Sequence, residues 1–203
     1  VQHQSDDKVL TQYVSDGRAY SVKSDSVIMA CWHTVIPHIC PELPARQKQA
    51  LSYGSKSPLV YGGALLRNWR PFVEAGISSL TAPTSYYSRI GLQASVSMGA
   101  YQASRDPDEP IVLRFSAYFD APGRGLNRRE QHLAGRREML TTSFATFEDK
   151  LRDQLVRALG SAGFDDERDI MGLTVNRWPH GYSYSYNPLD EPAEWAYTST
   201  DER

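Results

Sequence analysis

Hydrophobic positions recur at different spacings along this chain, and each spacing predicts a different element. Between Thr142 and Leu159 the residues Phe144, Phe147, Leu151, Leu155, Ala158 and Leu159 recur at helical spacing. Glu148 with Arg152 and Asp153 with Arg157 add favourably oriented i,i+4 pairs, and Gly160 and Gly163 offer stops. Lys8 to Val14 and Arg18 to Lys23 read as strands joined at Ser15-Asp16-Gly17, where glycine accepts the positive φ of a tight turn. The unbroken apolar run Val27 to Cys31 predicts a fully buried strand, since it lacks the alternation of a half-exposed one.

Further along, Pro44 to Leu51 predicts a short helix stopped at Gly54, and Pro58 to Tyr61 a strand running into Gly62-Gly63. Phe72 to Ala75 reads as one helical turn ended at Gly76. Ile90 to Met98 and Pro110 to Phe119 read as strands, the second rich in β-branched and aromatic residues. Gly172 to Trp178 is the last predicted strand. Strands and helices are intermixed without regular βα alternation, so the expected class is α+β, a mixed β-sheet with packed helices, and not a doubly wound sheet.

Composition narrows the function. A chain of 203 residues with 40% hydrophobic residues can bury a real core. A net charge of -2 supplies no field for nucleic acid, and no nucleic-acid partner is expected. No apolar run approaches the roughly 18 residues that span a bilayer. The chain begins at Val1, not Met, which suggests processing or truncation. Cys31 and Cys40 cannot make a disulfide framework and leave the redox compartment open.

Several catalytic signatures are missing: Gly-x-Gly-x-x-Gly, a Walker-type loop, Gly-x-Ser-x-Gly and His-Glu-x-x-His. Cys31, His33, His38 and Cys40 form a Cys-x-His-x4-His-x-Cys pattern that could hold a metal, but the spacing matches no common zinc module, and no metal is expected. Arg124, Arg128, Arg129, Arg136 and Arg137 sit among Glu130 and Glu138, which favours a solvated helix face with ion pairs. The segment Asn176 to Pro188 combines prolines, a glycine and aromatics, poor material for a regular element. It begins where a strand ends. If extended, Tyr182, Tyr184 and Tyr186 face one side, where they either wall a site for a flat cofactor or a cationic amine or pack as an edge ladder.

Thr174-Val175-Asn176-Arg177-Trp178-Pro179-His180-Gly181-Tyr182 resembles the late signature of bacterial FAD-dependent amine oxidoreductases of the spermidine dehydrogenase type, as does Ile36 to Pro44. The hairpin leading into Val27 to Cys31 is similar to the flavoprotein strand that returns beside the cofactor. Leu66-Arg67-Asn68-Trp69 and Gly135-Arg136-Arg137 also look family-like, so the resemblance runs over about Val9 to Pro188.

The resemblance implies an enzyme in two parts, a Rossmann-type FAD domain and a mixed-sheet domain that shapes the amine pocket. This chain matches the second, with residues 1–40 as the returning hairpin and strand, 41–175 as the substrate-binding domain and 176–203 as the aromatic segment and tail. FAD is the implied cofactor, and a companion polypeptide carrying the dinucleotide fold is the implied partner, because the fingerprint that seats the pyrophosphate is absent. The type also admits haem as an electron acceptor, with no haem ligand marked here. The implied catalytic residues are Trp178, His180 and Tyr182. The implied flavin neighbours are Cys31, Trp32, Trp178, Gly181, Tyr182 and Tyr184. The implied reaction is oxidation of a primary or secondary (poly)amine by hydride transfer to FAD, with imine hydrolysis to an aldehyde. The competing reading is a non-catalytic binding or assembly subunit that keeps the fold.

Overall fold

The computed structural model describes residues 1–182, 186–189 and 191–193. The chain divides into two units, Val1–Ser55 and Lys56–Arg203. The first unit contains a three-stranded antiparallel sheet of β1 (Gln2–Ser5), β2 (Lys8–Ser15) and β3 (Arg18–Ser24). Ser15 pairs with Arg18, so Asp16 and Gly17 alone form the loop, and both have positive φ (49° and 72°). That is the backbone an Asp-Gly hairpin turn requires. Tyr13 and Tyr20 are directly opposed and their rings stack at 5.4 Å. Two short helices follow, α1 (Ile36–Ile39) and α2 (Ala45–Tyr53).

Val27 to Cys31 is not the predicted buried strand. The run has no regular structure, and Ile28 is 91% exposed. A continuous apolar strand needs neighbours to hydrogen-bond it and to cover both faces. Among the described residues no strand pairs with it.

The second unit is built on a five-stranded sheet in the order β5-β6-β7-β4-β8. Its strands are β4 (Ser57–Leu66), β5 (Ser79–Thr81), β6 (Arg89–Leu92), β7 (Ile111–Tyr118) and β8 (Ile170–Tyr182). Every pairing is antiparallel. The helices are α3 (Arg70–Glu74), α4 (Arg128–Thr141), α5 (Phe144–Leu159) and α6 (Asp166–Asp169). The α+β class expected from the sequence is the class observed.

Period-two alternation sorts the central strand. Val60, Gly62, Ala64 and Leu66 of β4 are buried, while Tyr61 and Leu65 between them are exposed. The buried side meets α5, whose Phe147, Leu151, Leu155 and Leu159 are the helical stripe read from the sequence and are fully buried. Each such side chain contributes about 2 kcal/mol of burial. Gln154 of α5 accepts from the Tyr87 backbone N–H (3.0 Å) and donates to its carbonyl (2.8 Å). The Tyr87 hydroxyl donates to the Phe147 carbonyl at 2.7 Å. The loop before β6 is thereby tied to the helix.

Two glycines permit this packing. Gly62 lies directly opposite Phe115, and a Cβ there would come within 2.0 Å of the ring. In α4, a Cβ at Gly135 would lie 1.5 Å from the Phe119 carbonyl oxygen. The start of α4 is set by a capping box between Asn127 and Glu130.

The remaining differences have local causes. Residues β1 and β5 escape detection because they are short and polar, formed by pairing and not by pattern. The predicted strand Ile90 to Met98 stops at Leu92, after which the chain leaves the sheet. Regular strand continues through Pro179, against expectation. Because β8 is an edge strand, a residue without N–H is tolerated. The register shifts there, since Leu59 faces Trp178 while Ser57 faces Tyr182. Arg136 is not part of a solvated face: it is half-buried and donates to the Pro179 carbonyl (2.9 Å) and the Lys56 carbonyl (3.4 Å).

Gly135→Ala should lower stability by about 3 kcal/mol through overpacking against backbone. A Cβ at Gly172 meets nothing within 4 Å, so Gly172→Ala should stay within about 0.5 kcal/mol of the parent. Urea unfolding of the two variants checks both outcomes.

Candidate functional site

The sheet face away from α5 is the candidate site. Strand register arranges it in rows. One row runs Tyr118, Leu59, Trp178. The next runs Arg89, Ser116, Tyr61, Asn176. A third runs Gly91, Arg114, Gly63, Thr174. Rows on one face are about 7 Å apart along the strands.

Much of this face is aromatic and uncovered. Trp178 is 55% exposed, Tyr182 54%, Tyr118 49% and Tyr61 41%. Surface apolar groups are ordinary singly, but a contiguous patch marks a binding surface. Leu59, Tyr61, Arg114, Asn176, Trp178, Gly181 and Tyr182 line a cleft of about 550 Å3 on it. A hollow of about 280 Å3, which also includes Tyr61 and Arg114, extends past Arg89 and Ser79. Tyr118 and Tyr182 stack at 6.3 Å. Burial, followed by the neighbouring Tyr182, raises the Tyr118 phenol pKa above its ordinary value.

Three of the residues named from the sequence meet here: Trp178, Gly181 and Tyr182. Gly181 is in close contact with β4, since a Cβ would fall 2.2 Å from Leu59 Cδ2. His180 is not among the residues that line the cleft. Burial, then the positive charges of Arg136 and Lys56, lowers its imidazole pKa to about 4. Cys31 is exposed and Trp32 half-buried in the first unit. Tyr184 lies outside the described residues. The Cys31, His33, His38, Cys40 pattern is not drawn together: Cys40 is buried while Cys31 is exposed, and His33 Nε2 lies 3.1 Å from the Gly54 carbonyl. Among the described residues no group of three or more His, Cys, Asp or Glu could hold a metal. No helix among them is long and apolar enough to cross a membrane.

Tyr61, Asn176, Tyr118, Arg89 and Arg114 were not singled out from the sequence. The signal for Arg114 was available, because it interrupts the apolar strand Ile111 to Phe119 at an alternate position. Tyr61 and Asn176 become site residues only through cross-strand register.

Solved structures with a similar fold include amine oxidases. A wild-type putrescine oxidase bound to putrescine superposes with a TM-score of 0.61 at 15% identity, covering 91% of this chain and 36% of that one. Cyclohexylamine oxidase from Brevibacterium oxydans superposes with a TM-score of 0.57 at 15% identity, covering 87% of this chain and 32% of that one. The chain therefore spans about a third of the solved structures it matches, and its fold is that of a portion of the flavin amine oxidases. No protein-family model matches the sequence, and no curated protein is recognisably similar to it.

With its pKa lowered from 6.5 to about 4, His180 stays neutral in the folded chain while the unfolded chain takes up a proton. Its contribution to stability is therefore complete above pH 6.5 and is lost as pH falls toward about 4. An NMR titration of the ring should give a midpoint near 4, and His180→Gln should flatten the loss of stability across that window.

Proposed function

We propose that this chain is the substrate-facing part of a flavin-dependent amine dehydrogenase or oxidase acting on a primary or secondary amine. The open aromatic sheet face with its cleft carries the reading, because it joins half-exposed indole and phenol rings to a fold shared with amine oxidases. Aromatic faces hold an amine by cation–π attraction when it is charged and shed water around it when it is neutral.

The chain's residues suit the flat ring of FAD and not its phosphates. Trp178 and Tyr182, with Gly181 allowing close backbone approach, would cover the ring system. Among the described residues no glycine-rich turn leads from a strand into a helix N-terminus, so the pyrophosphate has no seat here. A companion polypeptide with a Rossmann-type fold is the proposed partner that supplies it. Cys31, Trp32 and Tyr184 remain proposed flavin neighbours, and no residue is assigned to haem.

When bound, FAD supplies the acceptor for the hydride that leaves the carbon beside the amine nitrogen. The roles of this chain are positional. Trp178 and Tyr182 fix the amine against the open face, and Asn176 and Tyr61 offer polar atoms beside it. His180, which does not line the cleft, remains a proposed catalytic residue only as a neutral imidazole and not as a charged acid.

In the native preparation, Trp178→Ala should lower amine-dependent dye reduction roughly tenfold to a hundredfold in kcat/KM. Circular dichroism and melting should stay near those of the parent, because the side chain is half-exposed. Unchanged kinetics, or a parent protein without flavin and without amine-dependent dye reduction, would favour a non-catalytic assembly subunit.

A further inference from the structure

The cleft has a cationic end, and its charges are unanswered. The side chains of Arg89 and Arg114 make no hydrogen bond or ion pair with any described residue. Arg114 faces Gly63 on one neighbouring strand and Gly91 on the other, so neither cross-strand partner crowds it with a side chain. Arg89 faces Ser116, which sets it diagonal to Arg114, about 7 Å away at the backbone. Both line the 280 Å3 hollow, and Arg114 also lines the 550 Å3 cleft that holds Trp178 and Tyr182. Among the described residues no Asp or Glu lines either space.

We propose that Arg89 and Arg114 bind a carboxylate of the substrate, so that the amine is an amino acid with an apolar side chain and not a polyamine. The proposal rests on the amine-oxidation reading and refines its substrate class. Two guanidinium groups lining one hollow repel each other and would repel the second charge of a polyamine. Both effects reverse for an anion. Guanidinium and carboxylate pair in fork geometry, which fixes orientation as well as charge. The rows supply the length. Tyr61 lines both spaces and sits diagonal to Arg114 across the β4–β7 pair, about 7 Å away at the backbone, the reach from the carboxylate of an amino acid to its side-chain ring. One molecule can thus place its carboxylate on the arginines and its apolar body on the Tyr61 ring.

The test uses the native preparation and two readouts. Calorimetric titration with 3-phenylpropionate, an unreactive carboxylate, should show binding. Arg89→Gln and Arg114→Gln should each weaken it by about tenfold or more, and Arg114→Lys should fall between, keeping charge without the fork. In kinetics, the kcat/KM ratio of phenylalanine to phenethylamine should drop by the same factor in the Gln variants. Carboxylate binding in a preparation that reduces no dye with any amine would uphold the arginine site and remove the amine-oxidation reading. Parent-like 3-phenylpropionate binding in both Gln variants would overturn the proposal. So would a parent that oxidises putrescine while binding no carboxylate. Loss of flavin or companion chain in the Gln variants would also overturn it, by assigning the arginines to an acidic group of the partner.

Discussion

The alternation along β4 governs the second unit. This strand is paired on both sides, by β7 and by β8, so each of its side chains is committed to one face. Even positions from Val60 to Leu66 go beneath α5. Odd positions place Tyr61 and Leu65 outside. A slip of one residue would exchange the two sets, burying Tyr61 and exposing Val60. The Gly62–Phe115 pair guards against that slip, because the ring occupies space that only glycine leaves open.

Helix packing then shapes the far side of the sheet. Gly135 lets α4 approach the end of β7, and Arg136 reaches from the same helix to the Pro179 carbonyl. The edge strand is thus held at the point where its register shifts. Arg177 is held from the buried side, with its guanidinium 5.1 Å from the Phe147 ring and a 2.7 Å bond to the Thr142 carbonyl. The neighbouring Trp178 is left to face outward. At the other end of β8, Asp169 is fully buried and bonded to Arg168 (2.7 and 2.8 Å), Asn68 (3.3 Å) and the Asp165 N–H (2.9 Å). Arg168, above all, holds that carboxyl pKa below its ordinary value. β8 is therefore tied down at Asp169 and at Pro179, with Trp178 between the two ties.

Long periodic signals were legible from the residues alone. The stripe from Phe147 to Leu159 is where the sequence predicts it, and the Asp16-Gly17 hairpin has the expected backbone. Such features are local, because the period or the turn chemistry is complete within one segment. The run Val27 to Cys31 misled because apolarity predicts burial but says nothing of a pairing strand. The strand through Pro179 was hidden for the opposite reason, since only sheet order reveals an edge that tolerates proline. The site was legible in part. Trp178 and Tyr182 stand out as aromatics, whereas Arg89 and Arg114 lie 25 positions apart and meet only through the β6–β7 register.

Together these features describe a wall: rigid behind, aromatic and cationic in front, and without a cover of its own among the described residues. The central claim is that another segment closes over this wall in the working protein. Hydroxyl-radical footprinting of the native preparation tests it most directly. Trp178 and Tyr182, each more than half exposed here, should be strongly protected from oxidation. Oxidation of both at the rate of a solvent-exposed side chain would contradict the account.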